Sequence, residues 1–106
     1  MITFIDKKIV RSQYYDGNTS LLLLEENGWE IYGCITVNIQ SITLMPDMVI
    51  LDVNNFSTYL LETLEDAGLV EQITSVKMGY VRYPIVRLTE KFLNDTENIS
   101  TGKRGI

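Results

Sequence analysis

Histidine is absent from the 106-residue chain, cysteine occurs once, at Cys34, and proline occurs twice. Histidine is the usual general acid or base, so the common nucleophilic triads are excluded and only carboxylates, lysines or tyrosines remain for such chemistry. A single cysteine cannot form an intrachain disulfide, a CxxC redox pair or a cysteine-based zinc site. The glycines are scattered, so the chain has neither a GxGxxG fingerprint nor a P-loop. We therefore expect a protein that is not an enzyme and that uses no metal or other cofactor.

Long apolar runs are also missing. No stretch approaches the roughly 20 apolar residues of a membrane span, so no membrane association is expected. The apolar start of the chain is interrupted at once by Asp6-Lys7-Lys8, unlike a signal peptide. The sequence predicts a soluble, cytoplasmic protein with one α+β domain over residues 1–94, large enough to bury a core. Residues 95–106 are poor in apolar side chains and predict a flexible C-terminal tail.

Positive charge is absent from the middle of the chain, because no lysine or arginine occurs between Ser12 and Val76. That interval holds ten acidic residues, and the net charge of the chain is −5. Nucleic-acid binding needs a basic footprint, so no direct DNA binding is expected. An acidic surface instead favours a basic partner, with electrostatically steered association. The candidate partner-binding residues form an acidic field: Glu25, Glu26, Glu30, Glu62, Glu65, Asp66 and Glu71. A solvated acidic surface without a partner is the alternative interpretation.

Two apolar runs flank Glu25-Glu26-Asn27-Gly28 and predict a β-hairpin over residues 21–38, since Asn-Gly favours a tight turn. Its first arm, residues 21–24, is apolar throughout and predicts a central strand. Its second arm alternates in polarity, as a half-buried strand does. Further strands are predicted over residues 1–5, 48–53 and 79–88, with connections over residues 6–20 and 40–47 and a connection or weak strand over residues 70–76. The connection over residues 40–47 is predicted to turn at Met45-Pro46-Asp47, since proline presets φ. Pro84 predicts that the last strand is an edge strand or contains a bulge.

One main helix is predicted over residues 56–67, where apolar residues recur at the spacing of a single helical face. Asn54-Asn55 would supply the N-cap. Gly68 and Leu69 match the glycine and the hydrophobic residue of a Schellman stop. A shorter helical turn over residues 89–94 would be capped by Thr89.

These elements predict an α+β fold in which an antiparallel sheet of four or five strands carries one main helix on one face. Such a fold buries the inward face of the sheet against the apolar stripe of the helix. The predicted core consists of Trp29, Ile31, Ile35, Val37, Val49, Leu51, Phe56, Leu60 and Leu64.

Five segments resemble a family of small uncharacterised domains from Firmicutes and their phages, plasmids and integrated elements. The segments are LLLL at 21–24, YGCITVN at 32–38, DVNN at 52–55, LEDAGL at 64–69 and GYVRYP at 79–84. The chain departs from the family pattern at residues 73–75, which are Ile-Thr-Ser where Thr-Gly-Arg is expected. The resemblance implies an α+β fold and a mobile-element origin, hence a bacterial host cell, and supplies no catalytic residues.

A short, acidic, histidine-free protein of that origin looks like the phage and plasmid inhibitors of host defence, of which anti-CRISPR proteins are the best-known type. The expected function is non-enzymatic inhibition of a basic nucleic-acid-handling host protein, a CRISPR effector such as Cas9 or its guide-RNA complex. The alternative is a mobile-element accessory or homo-oligomeric interaction protein without inhibitor activity, for example a homodimer that pairs through the strand of Pro84.

Overall fold

The computed structural model describes residues 1–25 and 30–99, and these residues are 45% strand and 14% helix. The strands, in chain order, are β1 (Thr3–Phe4), β2 (Lys7–Gln13), β3 (Thr19–Leu24), β4 (Ile31–Cys34), β5 (Thr36–Val37), β6 (Met48–Leu51), β7 (Val70–Met78) and β8 (Val81–Leu88). Helix α1 (Leu60–Asp66) lies between β6 and β7, and helix α2 (Glu90–Asp95) follows β8.

The strands form two antiparallel sheets of four strands each. The order is β1-β2-β3-β4 in the first sheet and β5-β6-β8-β7 in the second. The predicted fold class, one sheet with one main helix on its face, is therefore wrong. The protein is mostly β, and its two helices are only seven and six residues long.

Ile35 is the residue at which the chain passes from one sheet to the other. Its N–H donates to the Leu21 carbonyl in the first sheet at 3.0 Å, and its carbonyl accepts at 2.9 Å from the N–H of Asp52, the residue directly after β6 of the second sheet. The second arm of the predicted hairpin is thus divided into β4 and β5. A strand that changes sheets at a bend keeps its alternating side chains, so the sequence pattern alone does not reveal the division. The predicted Asn27-Gly28 turn lies outside the described residues.

Two strand assignments also differ from the sequence prediction. Residues 7–13, predicted as a connection, form β2, which pairs with β1 on one side and with β3 on the other. The strand that contains Pro84 is not at an edge, because β8 lies between β6 and β7. Pro84 is opposite Ser75, two pairs beyond an irregularity in the β7 register. The edge strands of the second sheet are β5 and β7. The internal position of β8 removes the basis for a homodimer formed through the strand of Pro84.

One hydrophobic core is shared by both sheets and both helices. It includes Ile9 and Leu23 from the first sheet, Val49 from the second, and Leu60 and Phe92 from the helices, none of which is exposed to solvent. The predicted burial of Ile35, Val49, Leu51, Leu60 and Leu64 is confirmed. Ile31 is 61% exposed, so its assignment to the core is wrong, and Trp29 lies outside the described residues. Val37 and Phe56 are half-buried.

Helix α1 begins later than predicted, at Leu60 instead of residue 56. Asp52 accounts for the difference, because its carboxylate accepts the Asn55 N–H at 2.9 Å and holds the preceding residues in a turn. Tyr59 occupies the N-cap position without a side-chain cap, so the predicted Asn54-Asn55 cap is wrong.

The predicted stop of α1 at Gly68 is confirmed. Gly68 takes a φ of +73°, which a residue without a Cβ adopts at little cost. Its N–H donates to the Glu65 carbonyl at 2.9 Å, and the Leu69 N–H donates to the Leu64 carbonyl at 3.0 Å. This pair of bonds is the Schellman motif.

Helix α2 is held against β2 by Arg11. The Arg11 guanidinium donates to the carbonyls of Leu93 and Thr96 and to the Thr96 hydroxyl, at 2.9–3.1 Å. These are groups at the C-terminal end of α2, where a positive charge is favourable. The Thr89 hydroxyl accepts the Phe92 N–H, which confirms the predicted cap. Residues 100–106 of the predicted tail lie outside the described residues.

Candidate functional site

Three of the predicted contact residues lie together on α1. Glu62, Glu65 and Asp66 are exposed and fall on one side of the helix, opposite the buried Leu60 and Leu64. No ion pair or hydrogen bond of these three carboxylates occurs among the described residues. We call this set the acidic face. Its charge is uncompensated by neighbouring side chains and is therefore available to a partner.

The C-terminal end of α1, which carries Glu65 and Asp66 of the acidic face, is held by several hydrogen bonds. Besides the Schellman motif, Lys91 of α2 donates from Nζ to the Ala67 carbonyl at 3.1 Å, and the Thr89 hydroxyl donates to the Gly68 carbonyl at 2.8 Å. Both donors engage carbonyls and leave the carboxylates of the helix unbound. Lys91 places its positive charge at the end of the helix where the macrodipole is negative.

The other members of the predicted acidic field lie elsewhere. Glu25, at the end of β3, forms an ion pair with Lys7 at 2.9 Å, so its charge is compensated within the first sheet. The Lys7 ammonium also lies 4.9 Å from the centre of the Tyr32 ring. Glu30 is exposed just before β4, and its carbonyl accepts the Glu25 N–H. Glu26 lies outside the described residues.

Glu71 occupies a surface of mixed charge at the start of β7. It is exposed, and its Cα partner across the strand pair is Arg87 of β8. The Arg87 Nε lies 3.5 Å from an Asp47 carboxylate oxygen. Arg87 of β8 is therefore beside Glu71 in the fold, although the two residues are distant in sequence.

Tyr14 lies at the centre of a polar cluster that the sequence did not predict. Its hydroxyl is 2.6 Å from the Thr36 hydroxyl and 3.4 Å from the Cys34 thiol, and the Thr36 hydroxyl also accepts the Leu21 N–H. Burial raises the pKa of Tyr14 well above its usual value, with a further increase from the hydrogen bond with Cys34. The phenol therefore stays protonated and acts as a hydrogen-bonding group that ties β4 and β5 to the end of β2.

A groove of about 300 Å³ lies beside α1, between the helix and the β7–β8 hairpin. Its apolar lining includes Val53, Leu61 and Pro84, and its polar lining includes Ser75 and Arg82. The groove could not be predicted from the sequence, because its lining comes from separate segments of the chain. The one sequence signal for it was Gly79, because glycine favours tight turns between paired strands. In the structure Gly79 has a φ of +66° and begins the two-residue turn that joins β7 to β8.

No protein-family model, curated protein or solved structure matches this chain. Within the described part of the chain, no three histidine, cysteine, aspartate or glutamate side chains gather as a metal site would require. None of the helices in residues 1–25 and 30–99 is long and apolar enough to cross a membrane.

Proposed function

We propose that this protein is a non-enzymatic inhibitor that binds a basic nucleic-acid-handling protein through the acidic face of α1. The partner class is a bacterial CRISPR effector such as Cas9 or its guide-RNA complex. The observation that supports the proposal is the acidic face itself: Glu62, Glu65 and Asp66 point to solvent on one side of a helix and are not neutralised by described neighbours.

The mechanism is competition with phosphate. Effectors of the Cas9 type hold guide and target in positively charged channels and read the short flanking motif with arginines. A carboxylate about 4 Å from such a cation gains about 1 kcal/mol in water and about 4 kcal/mol where the surroundings are less polar. Three carboxylates on one short helix approach such a channel together, because the helix is fixed by the buried Leu60 and Leu64. Bound there, the protein excludes nucleic acid without any covalent step.

The test measures target cleavage by a panel of Cas9 effectors with the protein in excess. A double variant, Glu62→Lys with Glu65→Lys, should lose most of the inhibition. Adding Asp66→Lys to the double variant should abolish the residual inhibition. The matched control is Glu90→Lys with Asp95→Lys, two exposed acids of α2 whose reversal changes the net charge by the same amount as the Glu62 and Glu65 double variant. This control should inhibit like the wild type, and circular dichroism should show that all variants are folded.

Salt gives a second measurement, because screening shortens the range of exposed charges from about 10 Å at 0.1 M to about 3 Å at 1 M. Binding of the wild type to the effector should therefore weaken steeply with added salt. A tight complex that is indifferent to salt and to charge reversal would contradict the acidic face as the contact surface. Normal cleavage by every effector tested would contradict the assignment of the partner.

A further inference from the structure

We propose that the groove beside α1 binds an extended peptide segment of a partner protein that carries an apolar side chain and a carboxylate side chain two residues apart. The carboxylate would be held by Lys77 and Arg82, and the apolar side chain would lie between Leu61 and Pro84. This surface is opposite in charge to the acidic face, and the inference does not rest on the inhibitor proposal.

Lys77 and Arg82 lie on the groove side of the β7–β8 hairpin. Their Cα atoms are direct partners across the strand pair, and the next pair on the same face, two residues along, is Ser75 with Pro84. Ser75 and Pro84 both line the groove, as does Arg82 itself. The two cations therefore stand side by side at one end of an apolar depression.

Placing two like charges directly opposite one another in a strand pair is destabilising, because their Cβ atoms are only about 4.5–5.5 Å apart. No ion pair in the described part of the chain offsets this repulsion. Neither Lys77 nor Arg82 forms an ion pair there, and the one hydrogen bond of the Arg82 side chain goes to the neutral Ser75 hydroxyl at 3.2 Å. A bound carboxylate would relieve the repulsion and accept hydrogen bonds from both side chains.

The shape of the groove favours a peptide over a small molecule. Small ligands are usually enclosed on most sides, whereas this groove is largely open to solvent. Beside it runs β7, one of the two edge strands of the second sheet and, at nine residues, the longest strand described. Among the described residues, the backbone of β7 forms no ladder with any strand except β8. An extended peptide can therefore pair with this edge while its alternate side chains enter the groove.

Nuclear magnetic resonance titration of the ¹⁵N-labelled protein tests the inference. The probe is an acetylated nine-residue peptide with threonine at every second position. Leucine and glutamate take turns at the positions between, so each glutamate is two residues from a leucine. We expect saturable shifts in the amides of β7, above all those of Ser75 and Lys77, and in the amide of Arg82 on β8. The same peptide with lysine in place of glutamate should bind at least about tenfold more weakly, because it loses its charge-assisted hydrogen bonds.

Lys77→Gln with Arg82→Gln should weaken binding of the glutamate peptide by about tenfold and leave the fold intact. The control is Arg87→Gln, which removes one positive charge from the opposite face of the same strand and should leave peptide affinity unchanged. Absence of shifts at millimolar glutamate peptide would overturn the inference, as would equal binding of the two peptides. Octanoate, a small molecule with an apolar chain and a carboxylate, serves as a second probe in the same titration. If octanoate shifts residues 75–84 and the peptide leaves the β7 amides unchanged, the groove is assigned to small carboxylates instead. A dimer seen by light scattering, with β7 protected by self-pairing, would also overturn it.

Discussion

Truncation of Leu60 should destabilise the protein far more than truncation of its neighbour Leu61. Leu60 has no exposed surface and belongs to the core shared by the two sheets. Replacing such a leucine by alanine removes its transfer free energy and leaves a cavity, at a total cost of about 2–5 kcal/mol. That cost is a large fraction of the roughly 5–15 kcal/mol by which a domain of this size is stable.

Leu61→Ala is the matched control, because it makes the same chemical change at the next position of the same helix. Leu61 is only half-buried, packs against the margin of the core and lines the open groove. Partial burial and an already open site reduce the expected loss to about 1 kcal/mol. Intrinsic helix propensity changes equally in the two variants, so the difference between them isolates burial.

Urea denaturation followed by circular dichroism measures both free energies of unfolding. Leu60→Ala should lower the midpoint strongly at a nearly unchanged slope, as expected when stability changes and the exposed area does not. Equal midpoints for the two variants, or an unchanged midpoint for Leu60→Ala, would refute the placement of α1 on the core.

Three further predictions concern turns and one exposed ion pair. Gly68→Ala has room for its methyl group but imposes left-handed strain, so urea denaturation should show a loss of about 1–2 kcal/mol. Ile5 and Asp6 both have positive φ, as in a type I′ turn, so Ile5→Asn should raise stability by about 1 kcal/mol in the same assay. The ion pair with Lys8 lowers the pKa of Glu97. The Lys8–Glu97 ion pair therefore stabilises the folded protein at neutral pH. This stabilisation is lost as the pH falls through the folded-state pKa of Glu97. Lys8→Met should return that pKa to its ordinary value in a carboxylate titration by nuclear magnetic resonance.

Local signals in the sequence predicted the local features of the fold. The stop of α1 at Gly68, the Thr89 cap of α2 and the turn at Pro46 all depend on residues within about one helical turn of each other. The turn at Pro46 is closed by the Met48 N–H and the Met45 carbonyl at 3.0 Å. Such features need no knowledge of the tertiary structure, which is why the sequence was sufficient.

Strand partners could not be predicted in the same way. Alternating polarity indicates that a strand has one buried face, but it does not say which sheet covers that face or where the strand changes sheets. β2 was missed because its charged side chains obscure the apolar Ile9 and Val10. Two of these charged residues, Lys7 and Lys8, form ion pairs with Glu25 and Glu97, which are far away in the sequence.

The candidate site was predictable only where it is continuous in sequence. The acidic face of α1 follows from helical spacing alone, so Glu62, Glu65 and Asp66 could be grouped in advance. The pairing of Lys7 with Glu25 depends on contacts between strands, and so does the juxtaposition of Lys77 with Arg82. The acidic middle and the basic ends of the chain are interleaved in the folded protein, and the charge pattern of the sequence alone overstated their separation.

The position of Ile35 has a consequence for how the protein unfolds. Because this residue donates a hydrogen bond to one sheet and accepts one from the other, neither sheet can open fully without breaking a bond at the shared residue. The two sheets should therefore form a single cooperative unit, and slow amide hydrogen exchange in β3 and in β8 should proceed at the same opening free energy. A molecule with two sheets should therefore unfold as one unit, because the peptide units on either side of Ile35 and the core shared by both sheets couple them.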